Sequence, residues 1–152
     1  MQREIERRFL VKRGMWEGEK GWRPVVMAQS YLLATKRLTI RVRIAGKAAY
    51  LTIKHKVKRR KGADEYEYSL PMRDAKRLLT IGKWRVRKTR WVKGRWEVDV
   101  FKGLNAPLII AEVELKNAKE AIKLPGWCGR EVTGIRKYAN SRLGRKPFKK
   151  WS

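Results

Sequence analysis

The chain has 152 residues, with 40 Lys and Arg against 14 Asp and Glu, a formal net charge of +26, and 43% hydrophobic residues. This length suits one domain able to bury about 70% of its unfolded surface, so neither disulfide nor structural metal is needed to fold, and the single Cys128 excludes an internal disulfide. Seven Trp and five Tyr exclude a disordered polycation, no apolar run approaches the ~20 residues that span a bilayer, and MQREIERRFLV lacks the apolar stretch of a signal peptide; a cytoplasmic protein with anionic partners and no membrane association is expected.

Most of the chain alternates with a period of two, the mark of strands with one apolar face. In order, the runs are REIERRFLV from Arg3, QSYLLA from Gln29, LTIRVRIAG from Leu38, AAYLTIKHKV from Ala48, ADEYEYSLP from Ala63, KWRVRKTRW from Lys83, RWEVDVFKG from Arg95 and PLIIAEVELKN from Pro107. Their short separations predict antiparallel neighbours, since parallel strands need crossovers of a dozen or more residues. MWEGEKGWRP from Met15 reads as a loop, and VKRRKGAD from Val57 as a solvated hairpin connection. Helical spacing appears in PMRDAKRLL from Pro71, with Pro at its start, and in GIRKYANSRLG from Gly134. KPFKKWS reads as a short, mobile basic tail.

Acids occur at i and i+2 in Glu4 with Glu6, Glu65 with Glu67, Glu97 with Asp99, and Glu112 with Glu114, so each pair shares one strand face. Arg41 with Arg43, Lys83 with Arg85 and Arg87, and Lys54 keep the same alternation on other strands, while Arg8 follows Glu4 and Glu6. Alternation alone allows all of these to form the solvated outside of an ordinary sheet. Segregation by sign favours the opposite arrangement, because a solubilising face mixes its charges. Eight strands can close into an antiparallel barrel whose interior holds one small ligand. With charges inward, paired carboxylates would bind a hard divalent cation such as Mg²⁺, and Arg and Lys would grip phosphate oxygens, the two requirements of metal-assisted phosphoryl transfer.

EIERRFLV, LTIRVRI, YLTIK, DEYEYSLP, the Lys83-Trp84-Arg85 spacing, WEVDVF, AEVEL and the closing PGWCGREVTG with KYANSRL together resemble the triphosphate tunnel metalloenzymes of the CYTH superfamily, in particular the small bacterial inorganic tripolyphosphatases. The resemblance spans nearly the whole chain. It implies a mainly β, α+β fold: an eight-stranded antiparallel closed barrel forming a tunnel, a few short helices, one of them C-terminal, and a single tunnel domain over 1–152 whose last residues, from about 145, are a basic tail. It also implies hydrolysis of tripolyphosphate to pyrophosphate and phosphate with Mg²⁺ or Mn²⁺. Glu4, Glu6 and Arg8 match the catalytic opening motif, in which Arg8 replaces the family's Lys; Arg8, Arg41, Arg43, Lys54, Lys83, Arg85 and Lys137 match phosphate-holding positions; Glu4, Glu6, Glu65, Glu67, Asp99, Glu112 and Glu114 match metal-holding acids. Ile135 and Val100 stand where the family has acids, and Lys137 where it has Arg.

A nucleoside or thiamine triphosphate, with hydrolysis or cyclase chemistry, is the alternative for the same tunnel. The excess positive charge also allows a non-catalytic role on polyphosphate or nucleic acid. KWRVRKTRWVKGRW, from Lys83, interleaves bases and aromatics as single-strand binding surfaces do, although an amphipathic hairpin with its Trp side chains packed outside the tunnel is the preferred reading. A homodimer is compatible with the resemblance.

Overall fold

The computed structural model describes residues 2–12, 14 and 16–151; Met15 of the expected loop and Ser152 of the tail lie outside the described residues. The strands are β1 (Gln2–Glu4), β2 (Glu6–Val11), β3 (Arg23–Ala34), β4 (Leu38–Ala45), β5 (Ala48–Lys56), β6 (Ala63–Ser69), β7 (Trp84–Lys93), β8 (Trp96–Phe101), β9 (Ile109–Glu114) and β10 (Cys128–Glu131), with helices α1 (Met72–Ile81) and α2 (Asn140–Arg145). All eight predicted runs are strands. β3 begins at Arg23, earlier than expected, because it pairs along its length with β7, from Arg23 opposite Val92 to Tyr31 opposite Trp84. β10, at Cys128–Glu131, is not among the predicted runs.

The antiparallel ladder runs β1-β6-β5-β4-β3-β7-β8-β9-β2-β10, so its two end strands do not pair and the barrel is not a closed ladder as expected. β1 and β2 are nevertheless consecutive pieces of one amino-terminal segment interrupted at Ile5. The first piece pairs with β6, Glu4 opposite Ala63, and the second with β9, Glu6 opposite Glu114. This segment therefore bridges the two sides of the curled sheet. At the crossing, Gly62 has φ +88° and a Cβ there would lie 2.3 Å from the Glu4 carbonyl oxygen, which requires glycine on both counts.

Alternation puts the aliphatic and aromatic positions mostly outside the curled sheet, where other elements cover them. α1 lays Ala75 against Val42 and Ala49. Its Gly82 cap brings the chain so near β3 that a Cβ would meet Ser30 Oγ at 2.2 Å. On the opposite side Trp16, Trp22, Trp91, Trp96 and Trp127 pack in edge-to-face and tilted pairs with centroids 5.2 to 5.8 Å apart over Val98 and Ala111, holding the 16–22 loop and the 116–127 segment on the sheet. The preferred reading of the β7–β8 hairpin, Trp outside, is what the fold contains.

Along the inward face the strands change from charged to apolar: Val86 precedes Lys88 and Arg90, Ile110 precedes Glu112 and Glu114, and Phe101 follows Glu97 and Asp99. Tyr138 and Leu143, from the turn 136–138 and α2, pack into this apolar end with Val132 and plug it. The tail is not loose, since Phe148 and Trp151 pack against the same cluster. Among the described residues no helix is long and apolar enough to cross a membrane.

Candidate functional site

Curling the sheet encloses a cavity of about 380 Å³ lined almost wholly by charged side chains. Its wall is divided in two. Reading around the ladder, β5, β4 and β7 bring in Lys54, Arg41 with Arg43, and Arg90, with Gln29 and Tyr31 of β3 between them. The remaining arc, β8, β9, the amino-terminal segment and β6, brings in Glu97, Glu112 with Glu114, Glu4 with Glu6, and Glu65 with Glu67.

Ion pairs form where the arcs meet. Lys54 Nζ lies 2.9 Å from Glu4 and 3.9 Å from Glu65 at one seam. At the other, Arg90 donates to Asp99 at 2.8 and 3.0 Å and reaches Glu112 at 3.3 Å and Glu97 at 2.5 Å. Away from the seams like charges face each other. Burial, then the neighbouring Glu112 and Glu4, push Glu6 up to about 8. Burial and the hydrogen bond with Glu4 push Glu65 up to about 7, and burial also raises Glu97. Burial works in the same direction on Glu4, but the Glu65 hydrogen bond and the charge of Lys54 hold it well below the usual carboxylate range. In the basic arc, burial and then Arg41 and Arg90 bring Arg43 down to about 10. Arg43 Nε is satisfied by Gln29 at 2.8 Å, whereas Arg41 has one long bond to Thr52, 3.4 Å, and a buried Nε with no partner. Each arc is thus short of opposite charge: the acidic one would be relieved by a cation, the basic one by an anion.

Beneath the cavity lies a layer of buried ion pairs. Asp99 and Lys88 are both 0% exposed; Lys88 Nζ donates to Asp99 at 2.5 Å and to Asn140 Oδ1 at 3.1 Å. Although burial opposes it, Arg90 and Lys88 keep Asp99 ionised. Asp99, expected among metal-holding acids, is therefore the counter-ion of two cations and does not line the cavity. Arg8 is similarly sunk, donating to Glu112 at 3.0 Å and to the Tyr138 carbonyl at 2.7 Å, with Nη2 buried and unpartnered.

Three expected phosphate-holding residues lie elsewhere. Lys83 and Arg85 are exposed on the outside of β7, Arg85 donating to the Thr80 carbonyl at 2.7 Å, and Lys137 is exposed beyond the plug, its Nζ 4.6 Å above the Trp151 ring. The inward members of β7 are Lys88 and Arg90, which have the same spacing as Lys83 and Arg85. The signal was present in KWRVRKTR, but five residues, an odd number, separate the two pairs, so they face opposite sides. Glu97, Arg95 and Asn140 also line the cavity and were not in the expected set.

The donor set suits a divalent metal: among the described residues several carboxylates and no sulfur or imidazole face the cavity, and mutual repulsion among those acids is what a hard cation offsets. Among the described residues no three acids already converge into a metal-binding group.

Comparison with known proteins agrees with this architecture. The CYTH domain matches residues 2–143. An inorganic triphosphatase of Acetivibrio thermocellus is 36% identical over 163 residues, covering 98% of this chain and 97% of that one, and an inorganic triphosphatase of Nitrosomonas europaea is 34% identical, covering 92% and 95%. The crystal structure of an inorganic triphosphatase superimposes with a TM-score of 0.67 at 31% identity, covering 95% of each chain. With the family matched over most of its length and these relatives over nearly all of it, the chain belongs to the CYTH domain family.

Proposed function

We propose that the protein is a divalent-metal-dependent inorganic triphosphatase that hydrolyses tripolyphosphate to pyrophosphate and phosphate in its tunnel, the whole chain serving as one tunnel domain. The observation that carries this reading is the division of one cavity into an acidic and a basic arc, each lacking the opposite charge that a metal–triphosphate complex supplies. The names of the two relatives and of the solved structure support the same activity.

Arg41, Arg43, Lys54 and Arg90 would hold the phosphate chain, with the unpartnered Nε–H of Arg41 free to donate to a phosphate oxygen. Glu4, Glu6, Glu65, Glu67, Glu112 and Glu114 would hold Mg²⁺ or Mn²⁺, all-oxygen sites being what these ions prefer. When bound, the metal would polarise a phosphoryl oxygen and lower the pKa of a bound water. Arg8, anchored to Glu112 and Tyr138 beneath the cavity lining, would fix one of those acids in place as a positioning residue. Asp99 and Lys88 would act as positioning residues, holding Arg90 at its station. Among the described residues lining the cavity there is no Ser, Cys or His, so direct attack by water is favoured over a covalent intermediate; Cys128 lies outside the cavity, its thiol pushed up to about 11 by burial.

The lining also favours an inorganic chain over a nucleoside or thiamine triphosphate, because among the described residues no aromatic side chain lines the cavity for a base to stack on, Tyr31 being buried within the wall. Phosphate release measured from tripolyphosphate, ATP and thiamine triphosphate, each with Mg²⁺, Mn²⁺ or EDTA, tests both parts. Expected is metal-dependent release from tripolyphosphate that falls by about 10²-fold or more in Glu114→Gln. Release indifferent to EDTA would defeat the metal mechanism, and ATP turned over as fast as tripolyphosphate would defeat the substrate assignment.

A further inference from the structure

Inside the tunnel acids and bases are similar in number, so nearly all of the +26 excess lies outside it. One part of that exterior is shaped. A second cavity of about 160 Å³, lined by Lys137, Arg142, Lys146 and Trp151, sits at the carboxyl end of the chain and shares no lining residue with the tunnel. The buried side chains of Tyr138 and Leu143 belong to the plug between the two.

We infer that this cavity is a second, metal-independent binding site for the phosphoryl groups of a short inorganic phosphate chain. Arg142 lies in α2 and Lys146 caps its end, with the Lys146 backbone N–H donating to the Arg142 carbonyl at 2.7 Å, and α2 has no acid in its first turn to offset either charge. Among the described residues no carboxylate pairs with Lys137, Arg142 or Lys146, although each is close to the others. Three cations around one hollow therefore repel one another until an anion enters.

The hollow is also held in shape. Trp151 donates from Nε1 to the Lys146 carbonyl at 3.0 Å and packs on Tyr138 with centroids 5.2 Å apart. Lys137 in turn lies over both rings, at 4.6 and 5.4 Å, so its ammonium is positioned before any ligand arrives. Among the described residues no acid lines the site, so none of them there would coordinate a divalent cation. Its volume is about half the ~300 Å³ at which pockets begin to take drug-sized ligands, which suits one or two phosphoryl groups and not a nucleoside. Pyrophosphate leaving the tunnel or the end of a longer polyphosphate would present the same oxygens.

This inference goes beyond the hydrolase reading and is tested by binding alone, so failure of hydrolysis would not touch it. Pyrophosphate is titrated calorimetrically in EDTA into full-length protein carrying Arg41→Ala and Arg43→Ala, which weakens the tunnel's own grip. One binding event is expected. Adding Lys137→Ala and Arg142→Ala should weaken it at least about tenfold, whereas Arg85→Ala and Arg87→Ala, an equal loss of exterior charge on β7, should change it by less than about twofold. Equal weakening in the two sets, or no binding in EDTA at all, would overturn the site. Long-chain polyphosphate run in the same arms separates the sources: a response parallel to that of pyrophosphate supports capture of chain ends, and binding of pyrophosphate alone supports capture of the free anion. If single-stranded RNA binds through Lys137 and Arg142 while pyrophosphate does not, the surface serves nucleic acid and the phosphate site is wrong.

Discussion

Two layers of one tunnel treat their carboxylates in opposite ways. In the sunken layer Asp99 is buried yet kept ionised, because Arg90 and Lys88 serve it, and where that layer meets the cavity Arg8 and Arg90 hold the cavity-lining Glu112 low against its burial. In the layer above, Glu6 and Glu65 lie among other acids, and burial and those neighbours raise them. The residue type is nearly the same; the number of cations within reach differs. The lower layer is a finished structural network, in which losing a partner strands a charge. The upper one is a ligand site, whose missing charge is supplied from outside.

The strongest way to break this contrast is Asp99→Ala. It leaves Lys88 and much of Arg90 buried without a counter-ion, and about 3–5 kcal/mol of stability should be lost, measured by denaturant unfolding. A loss below about 1 kcal/mol would mean that the lower layer is not the matched network described. Next in size is an activity effect: Arg41→Ala, with the least satisfied guanidinium in the basic arc, should lower kcat/KM for tripolyphosphate by about 10²-fold. Arg85→Ala, outside the same barrel, should leave it unchanged, and equal effects would show that charge alone, irrespective of facing, matters.

The smallest effect sharpens the upper layer. Glu6 titrates higher folded, about 8, than the ordinary 4.5, so the folded protein holds the extra proton across that window and stability falls as pH rises through it. Glu6→Gln mimics the protonated acid; it should match the native chain below about pH 5 and be more stable above pH 8 by more than about 1 kcal/mol, because the rise exceeds the single pKa unit that is worth about that much. With Mg²⁺ or Mn²⁺ the native chain should regain that difference, because the cation replaces the proton. Thermal unfolding across pH, with and without metal, reads all three statements.

Much of this was legible beforehand. The acid pairs Glu4 with Glu6, Glu65 with Glu67, and Glu112 with Glu114, and the bases Arg41, Arg43 and Lys54, all line one cavity as the shared strand faces required. The β7 pair was misplaced for a definite reason: KWRVRKTR contains the Lys-x-Arg spacing twice in opposite phase, and nothing local distinguishes them. Lys137 was expected in the tunnel because it stands where the family has Arg, but the turn at 136–138 aims it at Trp151. Asp99 shares a face with Glu97, and only its depth below the cavity separates a counter-ion from a cavity-lining acid.

The amino-acid order by itself determined which side chains stand together, because successive residues of an extended chain point to opposite sides. It could not determine which side was the inside. That was decided by what covers the apolar positions: α1 over β3 to β5, five tryptophans over β7 to β9, and the carboxyl-terminal segment plugging one end. Burying those surfaces outside the barrel leaves the charges as its lining, and this choice rests on contacts between segments far apart in the chain.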